Sequence, residues 1–179
     1  MNPEDILHYW FEELQPRDWW RKDEDIDRTI TQRFGVTLTM AVRGEFFAWR
    51  DAPRGRLAEI IVLDQFSRHI HRDTPAAFAA DAIALVLAQE AVRAGADRSL
   101  VGPERAFLFM PYMHSESRVM QAIAIGLFDQ PGLEDNLRFA HAHRDIIERF
   151  GRYPHRNRIL GRISTPEEEL FLQQPGSGF

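Results

Sequence analysis

The chain has no cysteine and a single lysine, Lys22. Without cysteine there is no disulfide framework, no thiolate nucleophile and no Cys-ligated zinc or iron–sulfur centre. An excess of positive charge is also missing. The net charge is −5, which argues against a surface built to attract nucleic acid. No basic segment followed by an apolar stretch opens the sequence, so no secretory leader is expected. The longest apolar stretch lies between Pro75 and Ala88, is interrupted by Asp81, and is expected to be too short and too polar to span a bilayer. A cytoplasmic protein is the simplest expectation. The familiar catalytic signatures are absent too. There is no Gly-x-Ser-x-Gly elbow, no His-Glu-x-x-His helix, no phosphate loop and no dinucleotide glycine fingerprint. No cofactor and no metal site are expected.

What is present is the composition of a globular domain. Hydrophobic residues make up 44% and charged residues 27% of 179 positions, which excludes extensive disorder and predicts one domain, 1–179, with 175–179 as a frayed tail. Arginine accounts for 21 of the 22 basic residues. Codon bias explains such a ratio. Retention of guanidinium groups for two-pronged binding of carboxylate or phosphate explains it as well.

Helix signals dominate. Asn2 and Pro3 read as N-cap and first position of a helix that Pro16 ends. Ile26, Ile30, Phe34, Leu38, Val42 and Phe46 recur every fourth residue from a start near Asp23 and predict one buried stripe, although Val36–Met40 alternates locally like a strand. Leu57–Phe66 reads as a buried helix face. Thr74-Pro75 restarts the chain as an alanine-rich helix ending at Gly95. Gly102–Glu104 opens a helix that Pro111 should stop, and Ser115 should cap the next. A further helix closes at Gly151, and Thr165-Pro166 with Glu168 reads as a capping box. The pattern predicts an all-α fold of about eight helices arranged as antiparallel α-hairpins, in a superhelix or a compact bundle. No repeat of 34 residues with the tetratricopeptide spacing is present.

Three polar clusters could carry chemistry. Asp64 and Arg68 stand four apart on a helix and face each other, as a structural ion pair or as a carboxylate that aims a guanidinium at a ligand. His69 and His71 would point about 200° apart on a helix, which argues against a shared metal. His114 and Glu116 lie between two helices, as cap-region residues or as an acid–base pair. The third cluster runs from 138 to 162, where seven arginines meet only Asp145 and Glu148. Helical pairing at spacing four covers part of this charge. Arg152, His155, Arg156 and Asn157 crowd a Gly-x-x-Pro turn that would suit an anion or a peptide carboxylate. Trp19 and Trp20 are adjacent and cannot both face one core, so one is expected at a surface.

The stretches Arg54–Leu57, Leu63–Arg68, Thr74–Asp81, His114–Glu116, Arg149–Asn157, Leu160–Arg162 and Ser164–Glu168 resemble a bacterial family of unknown function, domain-of-unknown-function family 924, over essentially the whole chain. The resemblance implies an all-helical fold similar to tetratricopeptide-like right-handed superhelices and implies no activity. His69 and His71 stand where the family pattern has Asn and Phe, and Met113 where it has an acidic residue.

Two functions fit these residues. One is a helical binding module holding a small anionic ligand or peptide carboxylate in a groove lined by Asp64, Arg68, Arg152, His155, Arg156 and Asn157. The other is a hydrolase or lyase with His114 or His155 as general base, Glu116 or Asp64 orienting it and Arg156 steadying an anion. A homodimer is compatible with either, nucleic acid is disfavoured, and no membrane partner is expected.

Overall fold

The structure is a computed structural model that describes residues 1–178, and position 179 of the expected tail lies outside the described residues. Among these residues every regular element is helical. They gather into two compact units, residues 1–72 with 76–111 and residues 73–75 with 112 onward.

The first unit begins with α1 (Pro3–His8). Asn2 accepts from the Asp5 N–H, and Asp5 returns a bond to the Asn2 N–H, a reciprocal capping box. A π-helical turn, Tyr9–Glu13, continues the helix. The wider turn carries Tyr9 and Trp10 into an aromatic core. Tyr9 lies 5.0 Å from Phe34, Phe34 4.8 Å from Phe66, and Trp10 5.4 Å from Phe107. Trp19 donates its indole N–H to the Trp10 carbonyl, whereas Trp20 is 60% exposed. Of the tandem tryptophans, Trp19 is thus half-buried against Trp10 and Trp20 lies at the surface.

Helix α2 (Glu24–Val42) is capped by Asp23. The strand-like alternation at Val36–Met40 yields to the longer helical rhythm. Ile30, Phe34 and Leu38 are buried, but Val42 is 48% exposed. A strict four-residue step advances about 40° too far each time, so residues sixteen apart sit about 160° apart on the helix. The stripe therefore holds at its centre and leaves the core at its end.

Helix α3 (Pro53–Ile61) leads into a second π-turn, Val62–Phe66, and the short α4 (Ser67–Ile70). The stretch after Pro75 is not one helix. A 3₁₀ turn, Pro75–Phe78, precedes α5 (Asp81–Arg93). The buried Ser67 hydroxyl donates to the Leu63 carbonyl at 2.6 Å and lies 3.2 Å from the Ala77 carbonyl. Ala84, Ala88 and Ala91 form the buried stripe of α5. By length and composition alone Pro75–Arg93 could reach across a bilayer. Asp81 within it is ion-paired to Arg68.

Helix α6 (Gly102–His114) contains Pro111 rather than ending before it. An interior proline costs roughly 3 kcal/mol. Phe107, Leu108, Phe109, Met110, Tyr112 and Met113 are all buried along this helix, and that burial outweighs the lost hydrogen bond.

In the second unit, α7 (Arg118–Phe128) and α8 (Glu134–Phe150) form a hairpin. Arg118 at the start of α7 bonds the Glu148 carbonyl near the end of α8, so the two run antiparallel. The N-cap of α7 is Ser117, which receives the Met120 N–H, and not Ser115. Ser115 lies two residues earlier and accepts from the Ser117 N–H. Gly151 closes α8 at φ 71°, a backbone state glycine adopts without penalty. Ile146, Ile147 and Tyr153 build the local core with Phe150 and Phe171. Helix α9 (Pro166–Leu172) starts at the Thr165–Glu168 capping box the sequence predicts. Within the expected tail, the Ser177 hydroxyl returns to the Leu172 carbonyl.

Candidate functional site

Asp64 and Arg68 lie in the first unit. The π-turn buries the Asp64 side chain to 1% exposure. Arg68 reaches it at 3.1 Å and Asp81 at 3.0 Å. Gln65 donates to the other Asp64 oxygen, and the guanidinium packs 5.6 Å from the Phe78 ring. One guanidinium thus ties the π-turn to the start of α5. His69, on the same short helix, is buried and bonds Asp27 at 2.7 Å, and Arg72 grips both oxygens of Asp27. Burial holds the His69 imidazole below its ordinary pKa.

The remaining candidates lie in the second unit. Arg152 grips both Glu168 oxygens, at 2.7 and 2.8 Å, across sixteen residues. The Glu168 carboxyl is 2% exposed and is pulled down to about 2, chiefly by Arg152 and further by the Thr165 N–H and Asn157. Asn157 donates to Ser164 and Glu168 and accepts from Arg162. Arg162 in turn holds Glu116 through both oxygens and donates to the Tyr153 carbonyl. Glu116 also accepts the Tyr153 N–H, and its pKa lies below the ordinary value because these donors outweigh its partial burial. Glu116 is therefore committed to bracing the turn rather than to orienting an imidazole. The chain Thr165–Glu168–Asn157–Arg162–Glu116, with Arg152 joined to it at Glu168, is one continuous polar brace.

Beside it stands a group of imidazoles around Tyr153. The Tyr153 hydroxyl donates to the Met113 carbonyl at 2.5 Å and accepts from Gln121. Gln121 is fully buried, and its amide nitrogen faces the Met113 and Ser115 carbonyls, which fixes its orientation and leaves its oxygen without a partner in the protein. The His143 ring lies 5.5 Å from the Tyr153 ring on one side, and the His155 ring 5.5 Å on the other. His114 lies 6.4 Å from His143. Arg156 stacks at 4.8 Å over Tyr153 and donates to the His114 carbonyl. Burial is the main force on two of these rings. It lowers His143 to about 3 and His155 to about 4, and the Arg156 charge adds to the effect. Both are neutral imidazoles near pH 7. The His143 Nδ1 faces the Phe139 carbonyl at 2.8 Å, so Nδ1 carries the proton and Nε2 the lone pair.

The structure thus brings His114, His155 and Arg156 together and places Arg152 and Asn157 in the brace. Sequence reasoning missed His143, Tyr153, Gln121 and Arg162. One signal for His143 was available. It occupies a core-facing position of α8 between Ala140 and Ile147, and a polar residue there needs a partner. Among the described residues no group of three or more His, Asp or Glu is arranged to hold a metal.

Residues 6–176 match the model of a family described as a bacterial protein of unknown function (DUF924), and the chain belongs to that family. A solved structure of a protein of unknown function, ATU0120 from Agrobacterium tumefaciens, is similar at a TM-score of 0.90 and 38% identity, covering 96% of each chain. No curated protein matches the chain.

Proposed function

We propose that the second unit is a binding module for a small anion, a carboxylate or a phosphate, held against His114, His155 and Arg156. The supporting observation is the placement of one nearly buried guanidinium, 7% exposed, over the Tyr153 ring beside the partly exposed His155 and bonded to the carbonyl of the partly exposed His114. A guanidinium keeps its charge at any physiological pH, and its field is screened less in a partly buried setting than in water. The His155 imidazole, which burial keeps neutral near pH 7, offers an N–H donor next to it without adding repulsion, and the His114 ring lies alongside. An anion seated there gains the guanidinium field and directed bonds from the rings. Arg68, Arg152 and Asn157 drop out of the ligand-facing set because each already serves a carboxylate of the fold.

The test is a thermal-shift and calorimetric titration with inorganic phosphate and short carboxylates. A ligand at a hundred times its Kd raises stability by about 2.7 kcal/mol. That rise should vanish in Arg156→Met and shrink in His155→Gln. Binding should also tighten as pH falls, because an anion favours the protonated imidazole and lifts the His155 pKa. A wild-type protein that no phosphate or carboxylate stabilises would sink the reading.

A further inference from the structure

Helix α7 carries no charged residue after Arg118, and it is apolar on both sides. Gln121, Ala124 and Phe128 point inward and are buried. The opposite face shows Val119, 65% exposed, and Ile123, 42% exposed, with Ala122 and Gly126 exposed beside them. Gly126 is the odd residue. A glycine inside a helix costs roughly 0.5–1 kcal/mol relative to alanine. Its backbone does not need glycine, and a Cβ built there meets nothing within 4 Å. Among the described residues no contact calls for the missing methyl group, which leaves room for a close approach from outside.

We infer that this face of α7 docks against the same face of a second copy of the chain, across a two-fold axis with the two helices antiparallel. The face is complementary to itself. At about 100° per residue, Val119 and Gly126 lie within about 10° of the contact line, and Ala122 and Ile123 flank it at about 50° on either side. An antiparallel two-fold centred between 122 and 123 sets Val119 over the partner's Gly126, a branched side chain over the gap left by a missing Cβ. The same operation brings Ile123 beside the partner's Ile123 and Ala122 beside the partner's Ala122. Charge agrees with this register. Arg118 and Asp129 both fall on the Ala122 flank, and the operation places them about 3 Å apart along the helix axis, within reach of an arginine side chain. The interface is isologous, as a two-fold contact must be. The contact patch is about 16 Å long, since α7 has only eleven residues, so the dimer is a weak one whose population depends on concentration.

Sedimentation equilibrium over a range of protein concentrations tests this. The expected result is a monomer–dimer equilibrium that Ile123→Glu abolishes while far-UV circular dichroism stays unchanged, Ile123 being exposed. Gly126→Ala separates the two roles of the glycine. It should raise the melting temperature of the monomer and yet weaken association at least tenfold, because the added methyl fills the space Val119 needs. A cysteine-free chain allows a third measurement. Ile123→Cys should form an interchain disulfide under mild oxidation, and Ile163→Cys, exposed on another element, should not. A chain that stays monomeric throughout overturns the inference. So does a dimer that Ile123→Glu leaves intact, or one that Gly126→Ala tightens.

Discussion

Arg162 holds Glu116 through both carboxylate oxygens, at 2.7 and 2.9 Å, across forty-six residues of sequence. The pair is about three-quarters buried, so it is worth more than a surface ion pair and less than a fully desolvated one. Arg162→Lys keeps the charge and loses the fork. It should cost about 1–2 kcal/mol, a drop of roughly 2–8 °C in melting temperature for a chain of this size. An unchanged melting temperature would mean that the fork is ornamental.

Glu168 carries the heavier duty. Its carboxylate completes the α9 capping box and accepts from Arg152 and Asn157 while nearly inaccessible to water. Glu168→Gln should therefore destabilise by about 3 kcal/mol, the scale for breaking a buried pair by removing one partner. Thr165→Ala, which removes only the cap oxygen, should cost about 1 kcal/mol. Arg152→Met combined with Glu168→Gln should cost less than the two single changes added together. Denaturant unfolding of the four proteins measures this directly.

The second unit should be acid-labile. The folded pKa values of His143 and His155, about 3 and about 4, lie below the 6.5 of a free imidazole. The unfolded chain therefore binds more protons in this interval, and stability must fall as pH drops from about 6.5 towards about 4. The groups facing His143 are His114, His155 and Arg156, all of which oppose its protonation, and the Phe139 carbonyl, which favours it. Glu168, lowered to about 2, adds a loss that begins nearer pH 4.5 and continues below it. His143→Gln should flatten the upper part of this profile. A melting temperature independent of pH between 6.5 and 4.5 would contradict the burial assigned to both rings.

In the first unit, Gly55 sits where any Cβ would collide with the Trp49 carbonyl. Backbone cannot yield as a flexible side chain does, so Gly55→Ala should cost at least 1–3 kcal/mol, the typical range for overpacking. Gly126→Ala, with open space at the same atom, serves as the contrasting control. Thermal melts of the two variants should move in opposite directions.

Capping chemistry made much of the fold legible in the sequence. Asn2, Asp23, Gly151 and the Thr165–Glu168 box each act where their residue types predict. The errors came from local rules that tertiary contacts override. Pro111 reads as a stop, yet the buried side chains around it carry α6 onward. Ser115 and Ser117 are equally good caps on paper, and only the fold chooses between them. For the site, the sequence marked the Arg152–Asn157 turn but not the division of labour within it. Arg152 lies past the Gly151 helix end, and Asn157 has no carboxylate three or four residues away, so both looked unattached. Their partner, Glu168, lies on a later helix, and no periodicity reports a contact of that kind. The two π-turns were invisible for a related reason. A widened turn has no composition of its own, and one of them sits beneath Asp64.

The position of Glu168 near the end of the brace also sets an order of assembly. A chain emerging from the ribosome presents Arg152, Asn157 and Arg162 before it presents Glu168. Until that carboxylate arrives, two donors of the turn await their acceptor and α9 has no cap. The polar brace therefore closes last, from its C-terminal end, after the α7–α8 hairpin has had time to form.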